Sequence, residues 1–216
     1  MVTIIDYGIG NLRSIEKAFE RVGAEVLRTD DAERVTAAER LVLPGVGAFG
    51  ACIDEIRARN LEASILEAIE AGVPFLGVCV GMQLLFDEGL EHGVHEGLGV
   101  LPGQVVHFHK AEDGDAGDLK VPHMGWNTLT LTHASPLTDD LGDEPYVYFV
   151  HSYHALPDRT DDVLATTAYG HDFASMVHRG NVYGVQFHPE KSQVCGLKIL
   201  EAFATTPVDV LSGVPA

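Results

Sequence analysis

The chain has 216 residues, with 14 basic against 32 acidic side chains and a formal charge of −18. That length suffices for one well-buried core without disulfide staples. The charge excludes a polyanionic partner such as nucleic acid, because such binding relies on Lys and Arg displacing counterions from phosphates.

The opening "MVTIIDYGIGN" has a short apolar run and no basic n-region, so neither a signal peptide nor a membrane span is expected. Val2 to Ile5 reads as a strand, and Leu12, Ile15, Phe19 and Val22 recur at helical spacing until Gly23. Short strands follow at Glu25 to Arg28 and Leu41 to Leu43. Leu61, Ile65, Leu66 and Ile69 mark a second helix face, and Phe75 to Cys79 is the next strand. Such alternation implies right-handed crossovers and a parallel sheet. The second half is strand-rich, at Val100 to Phe108, Trp126 to Thr132, Tyr146 to Tyr153, Val163 to Tyr169, Ala174 to His178 and Val182 to Phe187. "HRGN" (178–181) is a hairpin turn. A helix from about Gln193 to Ala204 closes the fold, and "TTPVDVLSGVPA" reads as a surface tail. The fold class is thus α/β, a mostly parallel sheet with flanking helices and a smaller antiparallel portion, in one domain spanning 1–216. The spread of acidic residues and the scarcity of Lys serve solubility or adaptation to high salt. "KAEDGDAGDLK" (110–120) is a solvated acidic loop; its spacing does not fit a calcium loop.

Cys52, Cys79 and Cys195 form no close pair, which favours a reducing, cytoplasmic setting. "GVCVG" (77–81) puts Cys79 on a glycine-bracketed corner where a strand meets a helix, as in a nucleophile elbow. The N–H groups and partial positive charge at the start of the helix near Val80 suit an oxyanion and a lowered thiol pKa. Cys52 and Cys195 lack that setting and read as packed side chains. In "VQFHPEKS" (185–192), His188 and Glu190 lie two apart, so in extended chain they project to the same side. That supplies a base and its orienter for the thiol. "PGVGAFG" (44–50) is a poor dinucleotide fingerprint, following the third strand instead of the first, and suits a loop offering a second oxyanion N–H. The His92/His95, His107/His109 and His151/His154 pairs lack accompanying metal-ligand sets.

Elbow, loop and H-P-E together resemble the class I (triad) glutamine amidotransferases over nearly the whole chain. Within them, "IIDYGIGNLRSI", "VPHMGWN", "YFVHSY" and "QFHPEKSQ" are similar to the branch of glutaminase subunits serving a cyclase in histidine biosynthesis. The resemblance implies a flavodoxin-like sheet, hydrolysis of glutamine through Cys79, His188 and Glu190 by way of a glutamyl thioester, and no cofactor or metal. It implies that Val46 and Val80 supply oxyanion N–H groups. Gly47, Gln83 and the segment His151, Ser152, Tyr153 would hold glutamine. Asn11, Trp126, Tyr148 and Lys191 would face the cyclase, a (β/α)8 barrel bound as a heterodimer, and no membrane is involved. Two alternatives remain: the glutaminase subunit of pyridoxal phosphate synthase, whose G-G-E-S oxyanion loop this chain lacks, and a non-catalytic relative, in which a broken triad is expected. A cysteine hydrolase of related fold gives no reason for Gln83.

Overall fold

The computed structural model describes residues 1–108 and 119–213. Strands β1 (Val2–Ile5), β2 (Val26–Thr29), β3 (Leu41–Gly45) and β4 (Phe75–Cys79) alternate with helices α1 (Leu12–Arg21), α2 (Ala32–Thr36), α3 (Phe49–Ala58) and α4 (Glu62–Glu70). A single turn, α5 (Val80–Gln83), follows β4 at once. Next come β5 (Phe86–Gly89), β6 (His95–Glu96), β7 (Leu101–His107), β8 (His123–Thr128), β9 (Thr130–Leu131), β10 (Tyr146–His151) and β11 (Tyr153–Pro157). The chain finishes with β12 (Val163–Tyr169), β13 (His171–Arg179), β14 (Val182–Val185), α6 (Gln193–Thr205) and α7 (Val208–Leu211).

Five strands run parallel in the order β2-β1-β3-β4-β14. Every residue of β1, β3 and β4 is buried, as expected of parallel strands covered on both faces. The buried stripe of α1, Ile15, Ala18 and Phe19, packs toward α6, with the Phe19 and Phe203 rings 6.4 Å apart. Beyond β14 the same sheet continues through antiparallel β13 and β11 to β7, β5 and β6. A separate antiparallel ribbon pairs β8 with β10.

Two expected strands change sheets midway. The 126–132 stretch breaks at Leu129, which is buried and donates its N–H to the Pro145 carbonyl. Upstream, β8 joins the ribbon; downstream, β9 reaches the main sheet through β12. The 146–153 stretch breaks at Ser152, whose carbonyl accepts from the Phe108 N–H, so β10 and β11 serve different sheets. The C-terminal stretch read as a surface tail instead folds back as α7. Leu211 is fully buried, its carbonyl accepts from Tyr183 Oη at 3.2 Å, and Ser212 Oγ donates to the Gly72 carbonyl at 2.8 Å. The acidic 110–120 loop falls largely outside the described residues.

The docking of α7 makes Leu211→Ala a test. Removing a fully buried leucine is expected to cost about 2–4 kcal/mol in urea unfolding, whereas a loose tail would leave the midpoint unchanged.

Candidate active site

Strand β4 ends on Cys79 at φ 56° and ψ −114°, a conformation that L-residues rarely adopt. It persists because its surroundings leave no alternative. A Cβ on Gly77 would lie 2.5 Å from the Gly81 carbonyl oxygen, and one on Gly81 would lie 1.8 Å from that of Leu43. Both glycines are therefore dictated by backbone packed on backbone. In register, Cys79 lies beside Gly45, so the loop leaving β3 starts next to the sulfur. The expected helix after Cys79 is only the four residues of α5. A macrodipole built from one turn is small, so the local N–H groups carry the electrostatics at this corner.

His188 and Glu190 meet, but not through extended chain. Residues Pro189–Lys191 form a 3-10 turn that brings Glu190 Oε1 to 3.0 Å from His188 Nδ1. Asn11 Nδ2 donates to the same oxygen at 3.2 Å, which turns Asn11 toward the triad as well as toward its own surface. Ser192 Oγ donates to the His188 carbonyl at 2.7 Å and accepts from the Tyr148 N–H at 2.9 Å. The His188 N–H in turn bonds the Tyr148 carbonyl at 2.9 Å. Burial disfavours charge on His188, but hydrogen bonds and Coulomb attraction to Cys79 and Glu190 outweigh it and push the imidazole up to about 10. Burial likewise opposes the Glu190 charge, yet His188 and Asn11 hold the carboxyl below its ordinary range.

The triad opens on a cavity of about 370 Å³. Val46, Gly47, Val80, Gln83, His151, Ser152 and Tyr153 all line it, together with Cys79, His188 and Lys191. Gln83 Nε2 donates to the Tyr153 carbonyl at 3.0 Å and to Gln186 Oε1 at 2.9 Å, and Gln186 Nε2 points at Cys79 Sγ, 3.8 Å away. Sequence reasoning missed Gln186 and Glu91. Among the described residues Glu91 is the only acidic one lining the cavity; its Oε2 accepts from the Phe49 N–H at 2.7 Å. The single available signal for Gln186 was its place two residues before His188, on the same side of an extended chain.

Behind the wall lies a cluster of buried histidines. His151 Nδ1 faces the Tyr153 carbonyl at 2.8 Å and must donate to it. Burial pushes His151 down to about 3 and His123 and His154 to about 4, so these rings are neutral. His151 Nε2 then accepts from His123 Nδ1 at 3.1 Å. On the outer face of the ribbon, Trp126 stacks on Tyr146 (5.8 Å between centroids, 12° between planes) and meets Tyr148 edge-on. Lys191 Nζ sits 5.9 Å from the centre of the Tyr148 ring. Met124 and Tyr146 on this face are 62% and 51% exposed, an unusual density of apolar surface. Among the described residues no group of three or more His, Cys, Asp or Glu side chains could hold a metal ion, and no helix is long and apolar enough to cross a membrane.

The family pattern of "Glutamine amidotransferase class-I" matches residues 3–205. The imidazole glycerol phosphate synthase subunit HisH of Salinibacter ruber is 65% identical over 99% of this chain and 98% of its own length. The HisH subunit of Rhodopirellula baltica is 51% identical over 97% of this chain and all of its own. A crystal structure of a glutamine amidotransferase superposes with a TM-score of 0.73 at 21% identity, covering 99% of both chains, a likeness of fold. With this fold and these relatives, the chain belongs to the class-I glutamine amidotransferases and, among them, to the family of HisH subunits.

Proposed function

We propose that the chain is the glutaminase subunit of imidazole glycerol phosphate synthase. It hydrolyses glutamine and passes ammonia to a cyclase that makes imidazole glycerol phosphate and AICAR in histidine biosynthesis. The observation that carries this reading is that Cys79 and His188 line one cavity while Glu190 Oε1 lies 3.0 Å from His188 Nδ1. The sulfur, its proton on His188, attacks the side-chain amide carbon of glutamine. The resulting oxyanion takes N–H bonds from Val46 and Val80. His188 returns the proton to the nitrogen, the C–N bond breaks, and ammonia leaves a glutamyl thioester. His188 then draws a proton from water; hydroxide adds to the thioester carbonyl, the C–S bond breaks, and glutamate departs.

Glutamine is a zwitterion, so its α-ammonium needs an anion in the cavity, and Glu91 supplies it. Gln83 braces the segment His151, Ser152, Tyr153, whose backbone holds the other end of the substrate. Ammonia released into bulk water at pH 7 would become ammonium and lose its nucleophilic lone pair. A partner must therefore seal the cavity mouth, and the Met124, Trp126, Tyr146 and Tyr148 face, with Lys191 and Asn11 at its margin, suits an apolar docking surface for a (β/α)8-barrel cyclase. The chain acts as one amidotransferase domain over 1–216. Three unpaired thiols accord with a cytoplasmic location.

Mixing the chain with the cyclase tests the reading directly. Glutamine-dependent formation of the imidazole product is expected, with glutaminase turnover weak for the chain alone and strongly raised by the cyclase and its nucleotide substrate; equal turnover with and without both refutes the coupling. In the same complex, Cys79→Ala should lose synthesis from glutamine yet keep synthesis from added ammonium salt at alkaline pH.

Glu190→Gln is expected to lower kcat by about 10²-fold or more, because the imidazolium loses its counter-charge and its orienter. Stability should report the same pair. His188 is raised from 6.5 to about 10, so its contribution is complete below pH 6.5 and lost as pH rises through 10. The depressed Glu190 contributes above its ordinary 4.5 and loses that contribution as pH falls below it. The difference in urea midpoint between wild type and Glu190→Gln should thus be widest between pH 4.5 and 6.5 and shrink on either side.

A further inference from the structure

Beneath the loop leaving β3 lie two buried polar side chains that the chemistry above does not use. Tyr7, just past β1, is fully buried and donates its hydroxyl to the Pro44 carbonyl at 2.8 Å. Cys52, on α3, is also fully buried, and its thiol donates to the Val46 carbonyl with a sulfur–oxygen distance of 3.5 Å. Each spends its single proton on a carbonyl of the loop. They therefore pin the peptide units 44–45 and 46–47. The unit between them, 45–46, carries the Val46 N–H.

This loop has little stiffness of its own. Val46 stands between Gly45, held in β3 beside Cys79 and packed on Gly81, and Gly47, which has φ +91° and open space around it, so past Gly45 the backbone loses that packing. A rigid peptide plane caught between two clamped neighbours has its orientation set by them. Burial raises both the Tyr7 phenol and the Cys52 thiol above their ordinary ranges, so each keeps the proton it donates.

We propose that Tyr7 and Cys52 are positioning residues for glutamine hydrolysis, clamping the Pro44 and Val46 carbonyls so that the intervening Val46 N–H is held ready for the oxyanion. The inference rests on the glutaminase reading above. Since the N–H acts on charge that develops only in the transition state, loosening it lowers kcat and leaves glutamine binding alone.

The test compares Tyr7→Phe, Cys52→Ala and the double variant, each as the complex with the cyclase and its nucleotide substrate. Each single change is expected to lower kcat by about fivefold, and the double change by more, with KM within about twofold of wild type. Cys52→Ser, which keeps a donor, should retain more activity than Cys52→Ala. Amide hydrogen exchange across residues 45–50 of the chain alone should be faster in Tyr7→Phe and Cys52→Ala by more than in the remaining strands of the parallel sheet, which report the global loss of stability. Wild-type kcat in the double variant, a rise in KM that matches the fall in kcat, or unchanged exchange would overturn the proposal. A wild-type complex that fails to hydrolyse glutamine defeats the glutaminase reading instead, and the exchange experiment, which needs no turnover, still decides on the clamp.

Discussion

Gly81 packed against the Leu43 carbonyl, closer than any Cβ permits, is the contact on which the rest of the site depends. It draws α5 down onto the sheet, and Gly77 lets the same turn ride over β4. Cys79 is then forced into left-handed backbone with its side chain at the carboxyl edge of the parallel strands. Other parts of the site are positioned relative to that edge: β3 and its loop by register with Cys79, and His188 by the chain leaving β14. Ligand sites outside the carboxyl ends of parallel strands are the rule for open α/β sheets. Here the rule is enforced by steric exclusion at two glycines.

The ribbon of β8 and β10 performs two tasks through simple alternation. Tyr146 and Tyr148 point outward with Trp126, while Val147, Phe149 and His151 are buried behind them. The backbone of the same strand holds the His188 N–H and, through Ser192, its carbonyl. A surface suited to a partner and the anchor of His188 are therefore opposite aspects of six residues. Anything that shifts β10 is felt at the imidazole within one hydrogen bond.

Much of this was readable in the residues. The glycine bracket around Cys79 announced a corner, and the H-P-E run announced an imidazole beside its carboxylate, because both depend on local spacing. The strand boundaries at Leu129 and Ser152 were not readable, since each is set by a hydrogen bond to a remote segment, Pro145 in one case and Phe108 in the other. The length of α5 was also hidden: an apolar run after the elbow fits one turn as well as three. Helix α3 escaped notice although Phe49, Cys52, Ile53 and Ile56 carry its buried face, because its start is merged with the glycines of the preceding loop. Glu91 gave no local pattern, and Gln186 gave only its place two residues before His188. Their relevance comes from tertiary approach to the cavity.

The buried histidine cluster sets an acid limit on the whole molecule. His123, His151 and His154 are neutral in the native state, with values of about 4, 3 and 4 against 6.5 for an exposed ring. Each therefore takes up a proton on unfolding once the pH drops below 6.5, and the native state loses ground steadily down to about 4. Three such groups act together beside one wall of the cavity, so mild acidification drains stability from the fold before it protonates Glu190.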